Sequence, residues 1–366
     1  MRLVFHPDHI RLCAATGNDP LALWAAAATP LGREQRLTHS AALASPGGRH
    51  QVLRGAPAMG GQQDTLSRIQ ALLRGALEQH PLPAQTLVLW PYRSTLVEHS
   101  RLHPQALWNW MGKEGLRHPE ARLQPVYLDE SAVTLLDHAE EAWSHHPDRA
   151  LVLGGADSLL DPDTLLALVD QQVPLAWDGE DGLVPGEAAV FIPVRDGGDG
   201  VRILGWDSCP TPVARPDSTG EHPALAQALA SALTQAGLEA SSLDGILLPP
   251  GNGAEGDREW WSCQVHLWPL RADIPEGVSL PREPDEDPLP PEPITPPSLD
   301  SGAATGHAGA MQWLLQLALA GIWMRHTRTI ARSGAWPHVA TTAVLDRPMV
   351  DERGAVILSD ETDQEA

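Results

Sequence analysis

Asp129-Glu-Ser-Ala-Val-Thr-Leu-Leu-Asp-His-Ala-Glu-Glu-Ala142, with Ala150-Leu-Val-Leu-Gly-Gly-Ala-Asp157 close behind it, is the stretch on which the fold turns. Ala132, Leu135, Leu136, Ala139 and Ala142 recur at helical spacing and line one face. Ser131 stands ahead of them, where a serine caps a helix through its side-chain oxygen. Ala150 to Leu153 is short, apolar and β-branched enough to read as a buried strand, and Gly154-Gly155 is expected to turn the chain after it. Helix followed by buried strand is the grammar of a layered α/β protein.

The same grammar extends in both directions. Asp64 is placed to cap a helix bearing Leu66, Ile69, Leu73, Ala76 and Leu77, and Thr86 to Trp90 is the strand that follows. Asp161-Pro162 starts a further helix, with proline at a first-turn position where its missing N–H costs nothing. Gly186 to Val194 and Val201 to Trp206 read as strands. Pro223 opens an alanine-rich helix that Gly237 stops, and Asp244 to Leu248 returns as a strand. Gly306 to Met324 is apolar on most faces, which predicts a helix buried between layers. His338 to Leu345 and Gly354 to Leu358 form a last pair of strands. The expected division is two similar halves, 1–180 and 181–366, with a Pro- and acid-rich loop over 273–297 that composition keeps from packing.

Composition narrows the function. In 366 residues, 25 Lys and Arg face 47 Asp and Glu, a formal charge of −22. A phosphate backbone or an anionic membrane is a poor partner for such a surface. Cys13, Cys209 and Cys263 form neither a disulfide framework nor a C-x-x-C motif, which fits a reducing compartment. The N-terminus has no apolar core of signal-peptide length, and Met311 to Met324 is too short to span a bilayer. A cytoplasmic protein is expected. The 13 Trp beside two Phe and two Tyr, with 34 Pro and 32 Gly, suit a GC-rich bacterial coding background.

Four segments, in order, resemble the thiolase-fold condensing enzymes and specifically the β-ketoacyl-ACP synthases. The opening stretch looks like the nucleophile helix and the strand after it. Gly186-Glu-Ala-Ala-Val190 resembles a G-E-G-A-G strand. Asp244 to Asp257 resembles the strand that ends in H-G-T-G-T, and Ser298 to Leu319 resembles K-x-x-x-G-H-x-x-G-A-A-G and its buried helix. The resemblance implies a five-layer αβαβα arrangement of two pseudo-repeated halves. It also implies a dimer, expected to be a homodimer, formed through the strand near Pro125 to Leu128.

The chemistry implied by the resemblance is missing from these positions. Condensation needs a cysteine thiolate at a helix N-terminus and two histidines. The cysteine position falls on Asp129, or on Glu130 or Ser131 if the register slips. The first histidine position carries Pro249. In the register that keeps Gly302, Gly306 and Gly309 in place, the second carries Ala303 and the lysine position carries Ser298. The competing register, Thr305-Gly306-His307, would supply a histidine but sacrifices those glycines. Ser131 is the one candidate for a substitute nucleophile, and its plain alternative is a helix cap.

Other candidates have plain readings too. Cys263 lies near His266, but in a run read as a strand the two would face opposite sides. His138, His145 and His146 gather at a helix end with no completing ligand set, so no metal and no cofactor are expected. Trp260-Trp261 and the segment from Pro281 to Pro293 could form a rigid surface for docking a protein. The functional expectation is a catalytically inactive, protein-binding accessory factor. Its concrete form is an effector adaptor or chaperone, because degenerate thiolase-like proteins of this kind resemble those associated with type VI secretion. The alternatives are a non-catalytic partner of an active ketosynthase, and an acyltransferase with a substitute nucleophile.

Overall fold

The computed structural model describes residues 3–29, 35–36, 53–58, 64–93, 102–128, 130–170, 173, 175–177, 182–211, 223–250, 254–268, 294–331, 337–347 and 352–360. The strands in chain order are β1 (Leu3–Phe5), β2 (Arg11–Cys13), β3 (Gln35–Arg36), β4 (Arg54–Gly55), β5 (Thr86–Tyr92), β6 (Arg122–Tyr127), β7 (Ala150–Ser158), β8 (Glu187–Asp196), β9 (Val201–Pro210), β10 (Gly245–Leu248), β11 (Ser298–Asp300), β12 (Thr341–Asp346) and β13 (Glu352–Ser359). The helices are α1 (Pro20–Ala28), α2 (Thr65–Leu77), α3 (Pro104–Lys113), α4 (Leu135–His145), α5 (Pro162–Asp170), α6 (Pro223–Ala236), α7 (Ala254–Leu267), α8 (Gly302–Thr305) and α9 (Gln312–Ala331).

Two sets of five strands carry the same order. In the first, β6-β5-β7-β8-β2, the strands rank third, second, fourth, fifth and first along the chain; in the second, β11-β10-β12-β13-β9, they rank identically. The fifth strand of each set, β8 or β13, is antiparallel to both neighbours, and the remaining pairs are parallel. β1 pairs with both β8 and β9 and so joins the sets edge to edge. β8 lies beyond residue 180 and completes the first set.

Helices fill the space between and outside the sheets. α9 touches β8 of the first set and β12 of the second, while α4 and the 3-10 turn ahead of it touch β5, β7, β9 and β13. α2 covers β2, β7 and β8 from outside, and α6 covers β9 and β13. The result is the five-layer αβαβα stack. Every residue of α9 from Gln312 to Met324 is buried, which explains why this helix shows no polar face. α4 buries Leu135, Leu136, Ala139 and Ala142, the stripe that its spacing predicts.

Four expectations need correction. Gly154-Gly155 does not turn the chain: β7 runs straight through it to Ser158. A Cβ at Gly154 would overlap the Val190 carbonyl and Phe191 of β8, and one at Gly155 would overlap the Trp90 indole, so these glycines admit close neighbours within a strand. The buried helix begins at Gln312 rather than Gly306, because Gly306 and Gly309 take φ of 61° and 58° and break the path into a short helix, a 3-10 turn and α9. Trp260 to His266 is helical, in α7. The last pair of strands starts at Thr341, not His338. Residues 273–293 of the Pro/acidic loop lie outside the described residues, and Ile294 to Pro297 lead into β11 without regular secondary structure.

Gly154→Ala is expected to lower the unfolding free energy by about 3 kcal/mol in chemical denaturation, because the added methyl meets a backbone carbonyl that cannot move aside. Gly237→Ala, at φ 69° with open space around it, should cost about 1 kcal/mol.

Candidate functional site

Ser131 ends the loop before the 3-10 turn Ala132–Thr134 that leads into α4. A helix start leaves its first N–H groups without intrahelical partners and carries partial positive charge. Here two carboxylates from the second half occupy it. Asp346, the last residue of β12, accepts from Ser131 Oγ at 2.6 Å and from Ala132 N at 2.8 Å. Glu352, the first residue of β13, accepts from Ser131 N through one oxygen and from Ser208 Oγ at 2.7 Å through the other. Ser131 is fully buried, and its hydroxyl proton is directed at a carboxylate.

The carboxylates are held in turn. Arg347 and Arg353, the residues that follow Asp346 and Glu352, both close on Glu259 of α7, with Nε to carboxylate distances of 2.9 and 2.5 Å. Glu259 is 1% exposed, so this three-charge clamp sits in the interior, where losing one partner strands the others. Arg93, directly after β5, points Nη2 at the Glu130 carbonyl at 3.5 Å. Burial lowers the Arg93 pKa, and the surrounding Asp346, Asp157 and Glu352 oppose that shift.

A matching arrangement lies on the other half. Asp157, near the end of β7, accepts from Ala310 N at 2.7 Å, in the 3-10 turn that leads into α9. Glu187, the first residue of β8, takes Arg68 in a two-point ion pair at 2.8 and 2.6 Å and also accepts from Ser158 Oγ and Ala58 N. Asp157 therefore corresponds to Asp346, and Glu187 to Glu352.

The strand ends meet at this centre. Gln316 of α9 donates to the Leu248 carbonyl of β10 at 2.8 Å and the Leu345 carbonyl of β12 at 3.2 Å. Gln312 donates to Ser301 Oγ at 3.0 Å, and Pro250 packs beside Gly302. The structure thus gathers Ser131, Pro249 and the backbone of Ala303 around the starts of α4 and α9. Ser298 is exposed at the first residue of β11, two pairing positions upstream of the Leu248 end, and does not join them. Asp129 lies outside the described residues. A void of about 20 Å³ lined by Trp90, Arg93, Asp157, Ser158, Thr164 and Ala310 adjoins the centre. It has room for about one water molecule.

The remaining candidates fall elsewhere. His307 is 5% exposed; its Nδ1 accepts from Gly309 N at 3.1 Å, and its backbone pairs with Val184 and Gly186. Burial, assisted by Arg93, pushes its pKa down to about 3, so it is neutral at physiological pH. Cys263 is buried, with its thiol pushed up to about 12 by burial and by Glu259. His266 Nδ1 is engaged with the Ser262 carbonyl at 2.7 Å. Trp260 packs edge-on against Trp268 with ring centres 6.0 Å apart, whereas Trp261 is 41% exposed. Pro281 and Pro293 lie outside the described residues. Among the described residues no cluster of His, Cys, Asp and Glu could hold a metal, and no helix is long and apolar enough to cross a membrane.

No family model and no curated protein matches the chain. Solved structures do. A chain of the ketosynthase ApeO in complex with its chain length factor ApeC, from Xenorhabdus doucetiae, is 13% identical, with a TM-score of 0.64 over 98% of each chain. A β-ketoacyl synthase from Burkholderia phymatum STM815 is 11% identical, with a TM-score of 0.62 over 99% of this chain and 100% of that one. The oxazolomycin ketosynthase domain OzmH KS7 of Streptomyces albus JA3453 is 14% identical, with a TM-score of 0.65 over 100% of this chain and 76% of that one. The fold is the thiolase-like ketosynthase fold.

Burial raises the pKa of both Asp157 and Asp346, against the opposing hydrogen bonds and Arg93. Each binds its proton more tightly folded than unfolded. The stability they carry is therefore complete below the ordinary carboxylate range and is lost as pH rises through their elevated values. Asp346→Asn keeps an acceptor for Ala132 N and Ser131 Oγ but cannot ionise. Its unfolding free energy, followed from about pH 4 to about pH 7, should fall less with rising pH than that of the wild type; parallel curves would contradict the assignment.

Proposed function

We propose that this chain is a protein-binding accessory subunit without condensing activity, the partner of a catalytic chain of the same fold. The observation that carries the reading is the occupied helix start: Ser131 Oγ, Ser131 N and Ala132 N, the groups that would have to meet a substrate, are all spent on Asp346 and Glu352. A serine becomes nucleophilic when a base takes its proton and a neighbouring hole receives the oxyanion. Here the nearest acceptor is a carboxyl oxygen of Asp346, and the amides that could form the hole already donate to Asp346 and Glu352. Pro249 and Ala303, at the two histidine positions, offer no titratable group.

Two further features support a partner. One of the similar structures is a ketosynthase in complex with its chain length factor. On this chain, β6 is the outer strand of its set; among the described residues it pairs only with β5, and its Tyr127 is 45% exposed. An unpaired edge is a template for a strand of another chain. A formal charge of −22 works against a second copy at that edge and in favour of a partner carrying less negative charge. The effector-adaptor form of the accessory role gains no supporting observation from the fold or from the similar structures.

Co-expression with an intact ketosynthase encoded in the same genome should give a stable complex, and the ketosynthase should lose product formation without it. Ser131→Ala should leave that activity unchanged while costing about 1 kcal/mol in stability through the lost cap. Turnover of acyl and malonyl carrier proteins by the isolated chain, abolished by Ser131→Ala, would contradict the reading.

A further inference from the structure

The outer edge of β6 has a hydrogen-bonding pattern that the strand pairing fixes. Along a strand the backbone N–H and C=O of one residue point to the same side, and consecutive residues alternate sides. The N–H of Ala150 donates to the carbonyl of Gln85, one residue ahead of β5, at 3.2 Å. Odd-numbered residues of β5 therefore turn their groups toward β7, and even-numbered ones toward β6. The N–H of Leu128 donates to the Tyr92 carbonyl at 2.9 Å, which fixes the matching parity on β6. Gln124 and Val126 face β5, and Leu123, Pro125 and Tyr127 direct their backbone groups away from it.

Pro125 stands in the middle of that outward set, opposite Trp90 of β5. Proline has no backbone N–H. Inside the sheet nothing is lost, because its nitrogen faces outward, but a strand that pairs with the edge meets a ring where a donor belongs. The edge is otherwise open. No charged residue lies between Leu123 and Tyr127, and the six residue pairs with β5 run without a register shift, so neither charge nor bulge blunts it.

The cost of the missing donor depends on the partner. When a second copy pairs antiparallel with β6, outward residues have to face outward residues, and each strand brings its own proline. Two carbonyls then lose their donor and two rings stand against the opposing backbone, whether Pro125 faces the copy's Pro125, Leu123 or Tyr127. A strand with an N–H at every outward position loses one donor instead of two. We infer that Pro125 is a specificity-determining residue that turns the β6 edge away from a second copy of this chain and toward a strand of a non-identical chain with no proline opposite. The inference rests on the accessory-subunit reading for the use of this edge.

The test uses the full chain and needs no partner. Sedimentation equilibrium compares the wild type with Pro125→Val, which restores the N–H on a residue suited to a strand, and with Pro125→Ala as a smaller replacement. Pro125→Val should self-associate about a hundredfold more tightly than the wild type, about tenfold for each of the two donors restored. Hydrogen exchange across residues 122–127 should slow with rising protein concentration in that variant and not in the wild type, and Pro125→Ala should move in the same direction. Equal self-association of the wild type and both variants, or tighter association without slowed exchange in β6, would overturn the inference. With the co-expressed ketosynthase as the other chain, Pro125→Val should tighten binding by only about tenfold, for one donor; an equal gain for self-association and for capture would also overturn it. Failure of the ketosynthase to bind either chain would contradict the accessory-subunit reading, while the self-association series alone decides the role of Pro125.

Discussion

Asp346 ends a strand of the second half and accepts hydrogen bonds from the turn that starts a helix of the first half; Asp157, next to the end of the equivalent strand of the first half, accepts from the turn that starts the helix of the second. Each half therefore completes a helix start that it does not own. Orphan N–H groups at a helix start need acceptors once they leave water, and the carboxylates meet that need while favouring the positive end of the helix. Because the caps are exchanged, neither central helix is finished until the two sheets have closed on one another. The repeated strand order, the buried α9 and the clamp of Glu259 on Arg347 and Arg353 all lie around that exchange.

Much of this layering was legible in the sequence. The stripe from Ala132 to Ala142, the cap at Asp64 and the apolar run into α9 follow from periodicity, since one face of each helix has to be buried. The Gly154-Gly155 misreading has a physical source: glycines that admit a tryptophan ring and a neighbouring strand look, in one dimension, like glycines that turn a chain. Trp260 to His266 was misread because a short run with two tryptophans, a cysteine and a valine carries strand propensity, whereas its place against α6 and the Glu259 clamp makes it a helix. The centre itself was half visible. Ser131, Pro249 and Ala303 were found through the resemblance, but Arg93, Asp346 and Glu352 were not, because partners from distant strands leave no local spacing. A signal did exist in the internal repeat, where an aspartate lies at or next to the end of an apolar fourth strand and a glutamate opens the fifth strand in both halves.

The comparison of the two halves also bears on chemistry. In this fold a helix start at the centre of the molecule is a ready place to develop negative charge, which suits acyl transfer. Here the first N–H groups of one such start already donate to Asp346 and Glu352. The scaffold's requirements, buried glycines and apolar helices, are separable from the requirements of a reaction.

The most direct measurement is intact-mass spectrometry of the chain after incubation with an acyl thioester, with peptide mapping across residues 129 to 145. The account predicts no acyl adduct at Ser131, in the wild type or in Asp346→Asn, where the cap geometry persists without the charge. A stoichiometric acyl adduct that maps to Ser131 in the wild-type chain would contradict it.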